Sequence, residues 1–208
     1  MVFSTYREPL GVESLQPGHI LVYKTMKSLD GYLLVASPAL VDPNFAKTVV
    51  LMIQHNEEGA FGLVLNRPTS KSVKDLWKEV SQSPCDSQQP VHLGGPVSGP
   101  LMSIHANEAM EEIGILPGVF FSAKGPSLDE LVRQCEHAYK IFVGHAGWSP
   151  GQLESEIEAG GWLTTPAKAE YVFYDGEDLW EKVNGSIRAS TLQEMLSIKH
   201  VPEDPSMN

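Results

Sequence analysis

The segment Gly147-Trp148-Ser149-Pro150-Gly151 has the spacing G-x-S-x-G, in which many hydrolases carry a nucleophilic serine between a strand and a helix. The residue after such a serine donates its backbone N–H to the oxyanion, and Pro150 has no N–H to donate. A residue before proline is also restricted in conformation, which disfavours a strained elbow. A helix N-cap explains Ser149 better, with Pro150 at the first helical position. The sequence therefore predicts no catalytic residue here.

Two glycine-rich turns, Gly94-Gly95 and Gly144–Gly147, are candidates for the walls of a ligand cleft. Glycine lets a ligand approach the backbone closely, although a sharp turn is the simpler role for such residues. The second turn lacks the Gly-Lys-Ser/Thr of a phosphate loop, and Glu154 just beyond it would repel a phosphate. The hypothesis that remains is a small-ligand or partner cleft between the two turns, with Trp148 as its aromatic anchor.

The acidic and imidazole side chains suggest other chemistry, but their spacing is weak support for it. None of the seven histidines is spaced as H-x-H, H-x-x-H or H-E-x-x-H, so we predict no metal and no cofactor. Helical spacing places Glu154 beside Glu158 and Gln152 beside Glu156, a pattern more typical of a solvated helix face than of acid–base catalysis.

Asn66-Arg67 follows a predicted buried strand and precedes Pro68. We expect the Arg67 guanidinium to hold a carboxylate of the fold, Asp42 or Glu154. Binding of an anion or a peptide carboxylate is the alternative. The residues predicted to contact a ligand or partner are Asn66, Arg67, Gly94, Gly95, Gly147, Trp148, Gln152 and Glu154.

The composition predicts an acidic globular protein that does not bind nucleic acid directly. The 208 residues include 26 acidic and 15 basic side chains, for a net charge of −11, and the basic residues are scattered. Direct nucleic-acid binding depends on neutralising phosphates, which this charge opposes. No apolar run is long enough to cross a membrane, and the first residues lack the pattern of a signal peptide. We predict no membrane association and a cytoplasmic location.

The pattern of apolar residues predicts a mixture of strands and helices that must position these side chains. Predicted strands are His19–Lys24, Tyr32–Ala36, Thr48–Gln54, Phe61–Leu65, Tyr139–Val143 and Glu170–Tyr174, with Thr48–Gln54 and Phe61–Leu65 forming a hairpin across a four- or five-residue loop. Predicted helices are Ser72–Val80, one behind a capping box at Ser127, one behind a second box at Ser149 and ending at Gly160-Gly161, then Gly176–Val183 and Ser190–Ile198. This mixture indicates a single α+β domain with a mixed sheet.

Several blocks, in order over roughly residues 28 to 175, resemble the YqgE/AlgH family of bacterial proteins. They are Ser37-Pro38-x-Leu40-x-Asp42-Pro43-Asn44-Phe45, His55-x-x-x-Gly59-Ala60, Gly62-Leu63-Val64-Leu65-Asn66-Arg67-Pro68, Leu93-Gly94-Gly95-Pro96-Val97 and Val143-Gly144-His145-Ala146-Gly147-Trp148 with Gly151-Gln152-Leu153-Glu154. The resemblance implies one compact α+β domain with a bifurcated, barrel-like mixed sheet flanked by helices. We place that domain at residues 18–198, after a loosely ordered leader at 1–17 and before a flexible tail at 199–208.

The resemblance implies little about activity, although one branch of the family carries the label of transcriptional regulator. We favour a non-enzymatic cytoplasmic binding or interaction module with an indirect regulatory role, acting on a protein partner or a small ligand. One alternative is a hydrolase that uses His55, His92 or His145 with a carboxylate. Another is a transcriptional regulator that acts through a protein partner and not by direct contact with DNA.

Overall fold

The structure is a computed structural model that describes residues 28–81, 83–134 and 136–196. The expected leader at 1–17, the strand at 19–24, the tail at 199–208 and Cys135 lie outside the described residues. The strands are β1 (Tyr32–Ala36), β2 (Val49–Asn56), β3 (Gly59–Val64), β4 (Pro68–Ser72), β5 (Pro90–Leu93), β6 (Met102–His105), β7 (Ile113–Leu116), β8 (Val119–Ser122), β9 (Tyr139–Val143), β10 (Ala146–Trp148) and β11 (Trp162–Pro166). The helices are α1 (Val73–Val80), α2 (Gly125–Gln134), α3 (Gln152–Glu158), α4 (Ala169–Val172) and α5 (Leu179–Met195), with a short 3-10 helix at Glu108–Met110.

The strands form two sheets. The first is antiparallel, in the order β10-β3-β2-β1-β11, and the second is mixed, in the order β4-β5-β9-β6-β8-β7, with β5 parallel to β9. This arrangement confirms the predicted α+β class and the bifurcated mixed sheet flanked by helices. Both sheets are open, because β10 and β11 form the edges of the first and β4 and β7 those of the second.

The chain passes from the first sheet to the second between β3 and β4, and it returns at a junction between β9 and β10. Gly144, with φ 68°, lies between these strands and takes the left-handed conformation that favours glycine. The backbone of Gly94 joins both sheets, since its N–H donates to Val143 O at 2.9 Å and its carbonyl accepts from Val64 N at 2.8 Å. The bifurcation is thus built on direct backbone contact between two glycine turns.

Successive side chains along a strand point to opposite faces of its sheet, and the apolar ones form three layers. The central layer lies between the two sheets and includes Leu33, Leu51 and Phe142, with Val183 of α5 packed against it. An outer layer on the first sheet includes Trp148, Leu153 of α3 and Trp162. An outer layer on the second sheet contains the apolar faces of α1 and α2, with Val73, Leu76, Trp77, Leu128, Val132 and Ile141.

The predicted hairpin is present, but its loop is shorter than expected. Strand β2 continues to Asn56 and β3 begins at Gly59, so only Glu57 and Glu58 form the turn. The Asn56 side chain accepts the Glu58 N–H at 2.8 Å, which closes the turn locally. Both strands are interior to their sheet, as their nearly continuous apolar letters indicated.

Other sequence predictions were wrong in detail. The segment predicted as a strand at Glu170–Tyr174 contains helix α4, and the two predicted C-terminal helices form the single helix α5. The capping box at Ser127 is wrong because α2 begins two residues earlier, at Gly125. The box at Ser149 is wrong because Gly151 is the N-cap and makes no side-chain cap bond. In the part of the chain that the structure describes, no helix combines the length and apolarity needed to cross a bilayer.

Candidate functional site

A cavity of about 500 Å³ opens beside α3, where the edges of β10 and β11 meet the loop that follows β1. This volume lies within the range of small-ligand sites. The side chains that give its wall chemical character are Ser37, Asp42, Phe45, Trp148, Gln152, Glu156 and Trp162. The cavity therefore combines aromatic surface with two carboxylates.

Three aromatic rings belong to the apolar part of this wall. The Phe45 ring stacks on Trp148 with centroids 6.1 Å apart and meets Trp162 edge-on at 5.4 Å. The two indoles contact each other edge to face, at 6.1 Å. Edge-to-face and offset-stacked pairs stabilise one another beyond their buried area, so the three rings form a rigid cluster.

The Glu156 carboxylate joins both indoles through hydrogen bonds. Its Oε2 accepts the Nε1–H of Trp148 and that of Trp162, each at 2.9 Å. Its Oε1 accepts the side-chain amide of Gln152 at 2.9 Å. A carboxylate has about four lone-pair positions, and these three donors are all uncharged. The negative charge of Glu156 is therefore held beside aromatic surface without a cationic partner among these donors.

The turn before α3 positions Gln152. Gly151 has φ 74° and ψ −7°, and Gln152 N donates to Ser149 O at 3.0 Å, as in a type II turn with proline at its second position. The Gln152 Oε1 accepts the Ser149 N–H at 3.0 Å, so this side chain reaches back over the turn. The exposed Ser149 is thus part of a turn, and not a nucleophile at an elbow.

Helix α3 ends as the sequence predicted. Gly160, with φ 78°, donates to Ile157 O, and Gly161 donates to Glu156 O, each at 2.9 Å. This pair of bonds is a Schellman motif, which turns the chain sharply into β11. Because the helix is short, Glu156 faces a strand on each side, and both indoles come within its reach.

Asn66 and Arg67 hold the loop that carries the third aromatic ring. Arg67 Nη2 donates to Ala46 O at 3.1 Å and to Pro43 O at 3.4 Å. Asn66 donates to Lys47 O at 2.9 Å. The expected ion pair of Arg67 with Asp42 or Glu154 is therefore wrong, because its guanidinium binds carbonyls instead. Both side chains position the loop around Phe45, and neither belongs to the wall of the cavity.

Glu154 binds a histidine on a neighbouring strand. The Nε2 of His55 lies 2.6 Å from Glu154 Oε1, and His55 Nδ1 accepts the Leu29 N–H at 3.2 Å. Since Nδ1 accepts, the ring proton is on Nε2, and both nitrogens are engaged. His55 has only 6% of its surface exposed. It would have to lose one of these bonds before it could act as a base.

Gly94 and Gly95 are buried in the junction and do not line this cavity. A Cβ at Gly94 would lie 2.3 Å from the carbonyl oxygen of Gly144. A Cβ at Gly95 would lie 2.2 Å from the carbonyl carbon of His145. Glycine is therefore required because two backbones touch, and the expected cleft between the two turns is filled by the turns themselves.

Of the predicted contact residues, the structure brings Gly147, Trp148 and Gln152 to the cavity wall. Glu156 and Trp162 were not singled out, although Glu156 was placed on the Gln152 face of the helix. A sequence signal existed, because Trp148 and Trp162 flank one short acidic helix. Glycines just after the helix indicated that the chain returns beside its start.

The other histidines do not assemble a reaction centre with the residues described. His105 is buried and its Nε2 lies 3.0 Å from Ser122 Oγ, while that hydroxyl donates to Met110 O. Burial lowers the pKa of His105 below its ordinary value. Among the described residues, no group of three His, Cys, Asp or Glu side chains could hold a metal ion.

This fold defines a class of α+β proteins in which two sheets are joined at a junction of glycine turns. The sequence model of a family described as AlgH-like matches residues 33–191, so the chain belongs to the AlgH-like (YqgE/AlgH) family. It is 36% identical over 187 residues to a UPF0301 protein of Chlorobaculum tepidum, covering 86% of this chain and 95% of the relative. A UPF0301 protein of Myxococcus xanthus is 39% identical over 161 residues, covering 75% and 89%.

Two solved structures share the fold. The AlgH protein of Pseudomonas aeruginosa superposes with a TM-score of 0.65 at 25% identity, covering 92% of this chain and all of that one. The DIP2367 protein of Corynebacterium diphtheriae superposes with a TM-score of 0.62 at 29% identity, covering 74% and 84%. These likenesses establish the family and the architecture.

Proposed function

We propose that the protein is a cytoplasmic binding module whose cavity beside α3 accepts a lysine side chain of a basic partner protein. The observation that carries this proposal is the Glu156 carboxylate, held by two indoles and an amide in the wall of an aromatic cavity. A regulatory effect would then pass through the partner, and an effect on transcription would need no contact with DNA.

The charge of the wall supports a cationic occupant. Asp42 and Glu156 line the cavity, and none of the described residues in its wall is lysine, arginine or histidine. An anion would be repelled, and a purely apolar ligand would desolvate Glu156 without offering it a donor. The excess of acidic residues over the whole chain would also attract a basic partner at long range.

The shape and the acceptors of the wall favour lysine. The alkyl stem of lysine packs on aromatic surface while its ammonium makes point contacts. Three acceptors are available, namely Asp42, Glu156 and Ser37, whose Oγ is buried and finds no hydrogen-bond partner among the described residues.

The indole N–H signals of the full chain in proton–nitrogen NMR spectra test this directly. A short peptide with one lysine should shift the signals of Trp148 and Trp162. The signal of Trp77 should stay in place, because this indole donates to Asp129 and packs in the outer layer of the second sheet. The same peptide with an acetylated lysine should have little effect, and an arginine version measures how specific the site is.

A matched pair of variants on α3 completes the test. Glu156→Gln should abolish the shifts, whereas Glu158→Gln, at an exposed position near the end of the same helix, should leave them unchanged. If the lysine and acetyl-lysine peptides shift the two indoles equally, or if neither peptide shifts them, the proposal is wrong.

A further inference from the structure

A second cavity, of about 470 Å³, lies on the other side of the junction and shares no wall residue with the first. It is bounded by the start of β4, by β5 and β9, and by the segment 174–177 before α5. Its polar wall includes Asn66, Gln89, His92, Lys140, Asp175 and Glu177. Lys140 supplies the cationic group of this wall.

Lys140 is an unusual residue to find inside a sheet. Its side chain is only 4% exposed, and removal of an ammonium from water is costly unless it is paired. Its Nζ donates to Tyr174 O at 3.1 Å and to Asp175 Oδ1 at 2.5 Å. An ammonium has three N–H donors, so these two bonds leave one for a further acceptor.

The two partners of the ion pair that neutralises Lys140 differ greatly in solvent exposure. The side chain of Asp175 is 86% exposed, so the buried lysine is neutralised by a group that reaches in from solvent. Asp175 is followed by Gly176 and by the exposed Glu177, in a segment outside any helix or strand. A pair with one partner in water is weak, and another carboxylate can replace that partner at little cost.

His92 brings a second unsatisfied group to the same cavity. It pairs with Phe142 on the parallel strand β9, and Lys140 lies two residues earlier on the same face. His92 is 5% exposed, and its Nδ1 finds no partner among the described residues. Burial, and then the nearby Lys140 charge, lower its pKa to about 4, so the ring is neutral at neutral pH. Buried polar atoms without partners mark places where a ligand or a water completes the bonding.

We propose that this cavity is a binding site for a small oxyanion, a carboxylate or a phosphoryl group, and that Asp175 occupies the ligand's place in its absence. The ligand oxygens accept from Lys140 Nζ, and the Nδ1–H tautomer of His92 donates to a second oxygen. Asp175 is then an internal competitor, which withdraws with the segment 174–177 when the ligand binds. This site is independent of the lysine-binding function proposed for the first cavity.

The oxyanion class follows from the sign and the geometry of the donors. The Tyr174 carbonyl holds Lys140 Nζ. When the Asp175 carboxylate withdraws, two N–H donors of a buried ammonium need acceptors, and an acceptor that carries negative charge also neutralises it. A cation would face this buried ammonium and gain only the exposed carboxylates of Asp175 and Glu177. A neutral apolar ligand would leave both Lys140 and His92 as they are.

Calorimetric titration of the full chain with inorganic phosphate, and separately with acetate, tests the site and distinguishes its two ligand chemistries. Asp175→Asn should bind the preferred anion about fivefold more tightly than the natural chain, the factor expected when a half-exposed ion pair no longer competes. Lys140→Met should lose the binding. Lys78→Met, at an exposed position on α1, is the matched control and should keep it.

The His92 ring signals in carbon-resolved NMR spectra give a readout at the site itself. They should move with the anion in the natural chain and move further along the same path in Asp175→Asn. If Lys140→Met fails to fold, the Asp175→Asn comparison and the His92 signals decide whether the anion site exists. Equal affinity of the natural and Asp175→Asn chains, or anion binding that leaves His92 unmoved, overturns the proposal, as does the absence of binding to either anion.

Discussion

The imidazole Nε2 of His55 lies 2.6 Å from Glu154 Oε1, although the two residues are 99 positions apart in the chain. This bond joins β2 to α3, the helix that carries Gln152 and Glu156 into the first cavity. The imidazole is almost fully buried, and its other nitrogen is held by the Leu29 N–H. The position of the cavity wall therefore depends on a contact outside the cavity.

Removing the carboxylate from this pair should destabilise the fold. Glu154→Ala leaves the buried Nε2–H of His55 without an acceptor, which typically costs about 1–3 kcal/mol. Urea unfolding followed by circular dichroism measures the change. Glu158→Ala, an exposed position on the same helix, should shift the midpoint very little. Equal midpoints for the two variants would show that the His55–Glu154 bond contributes nothing net.

Substitution at the junction between the sheets should be far more damaging than a similar substitution elsewhere. In Gly94→Ala the new Cβ would lie 2.3 Å from Gly144 O, and neither backbone can move without breaking ladder bonds of both sheets. We expect a loss above about 3 kcal/mol, or failure to accumulate folded protein. Gly125→Ala, where a Cβ meets nothing within 4 Å, should be neutral or slightly stabilising. Thermal unfolding of both variants makes the comparison.

The neutral His92 ring should make stability fall in mild acid. Its pKa is lowered from 6.5 to about 4 in the fold, by burial first and by Lys140 second, with Asp175 acting in the opposite direction. The unfolded chain therefore takes up this proton first as the pH falls. Stability from this group is complete above pH 6.5 and is lost progressively as the pH approaches 4.

The size of this loss can be isolated by a substitution. Between about pH 7 and pH 4.5 the natural chain should lose about 2 kcal/mol more stability than His92→Gln. Urea unfolding of both chains at each pH provides the four free energies. The comparison removes the contribution of His105, whose pKa is also lowered and which both chains keep. Parallel losses in the two chains would contradict a buried neutral His92.

Arg67 should act on the first cavity through the loop that it holds. Arg67→Gln removes donors from Ala46 O and Pro43 O, so the loop around Phe45 should open more often. We expect amide exchange in residues 45–48 to accelerate by about tenfold, with global stability changed by less than about 1 kcal/mol. Hydrogen–deuterium exchange by mass spectrometry measures both quantities. Arg133→Gln, on the exposed face of α2, is the control. Unchanged exchange around Phe45 would exclude this positioning role.

The sequence was most informative where local chemistry and global packing agree. The hairpin β2–β3 was predictable because two apolar runs, the first of them rich in β-branched residues, flank a turn with Asn56 and Gly59. Helix α1 was predictable because Val73, Leu76 and Trp77 share one face, and Ser72 caps it through a bond to Asp75 N at 3.1 Å. Val80, the last residue of this predicted helix, is 54% exposed.

Tertiary contacts decided the elements that sequence patterns misjudged. The letters of Glu170–Tyr174 are rich in aromatic and β-branched residues and favour a strand by propensity. A strand at this position would need neighbouring strands to satisfy its backbone hydrogen bonds. Instead a single turn of helix directs Tyr171 and Val172 into the central layer, and no ladder is needed. In α5, the segment between its two predicted parts includes the buried Asn184 and the exposed Arg188, and the helix continues through both.

The candidate site was only partly visible in the sequence because its chemistry depends on distant contacts. Trp148 and Gln152 were found from a local motif. Glu156 looked like one acidic residue among several on a solvated helix. Its role became apparent only when β10 and β11 placed an indole on each side of it. Lys140 is central to the second cavity, but nothing in the apolar strand around it indicated a binding residue.

The continuous passage of the chain through Gly144 has a mechanical consequence. A segment that begins in one sheet and finishes in the other cannot be extracted from either half alone. Melting should therefore be concerted, with no half-folded species that retains one sheet. An insertion of one residue at this crossing would displace the register on both sides at once, so the crossing should tolerate a change in length poorly.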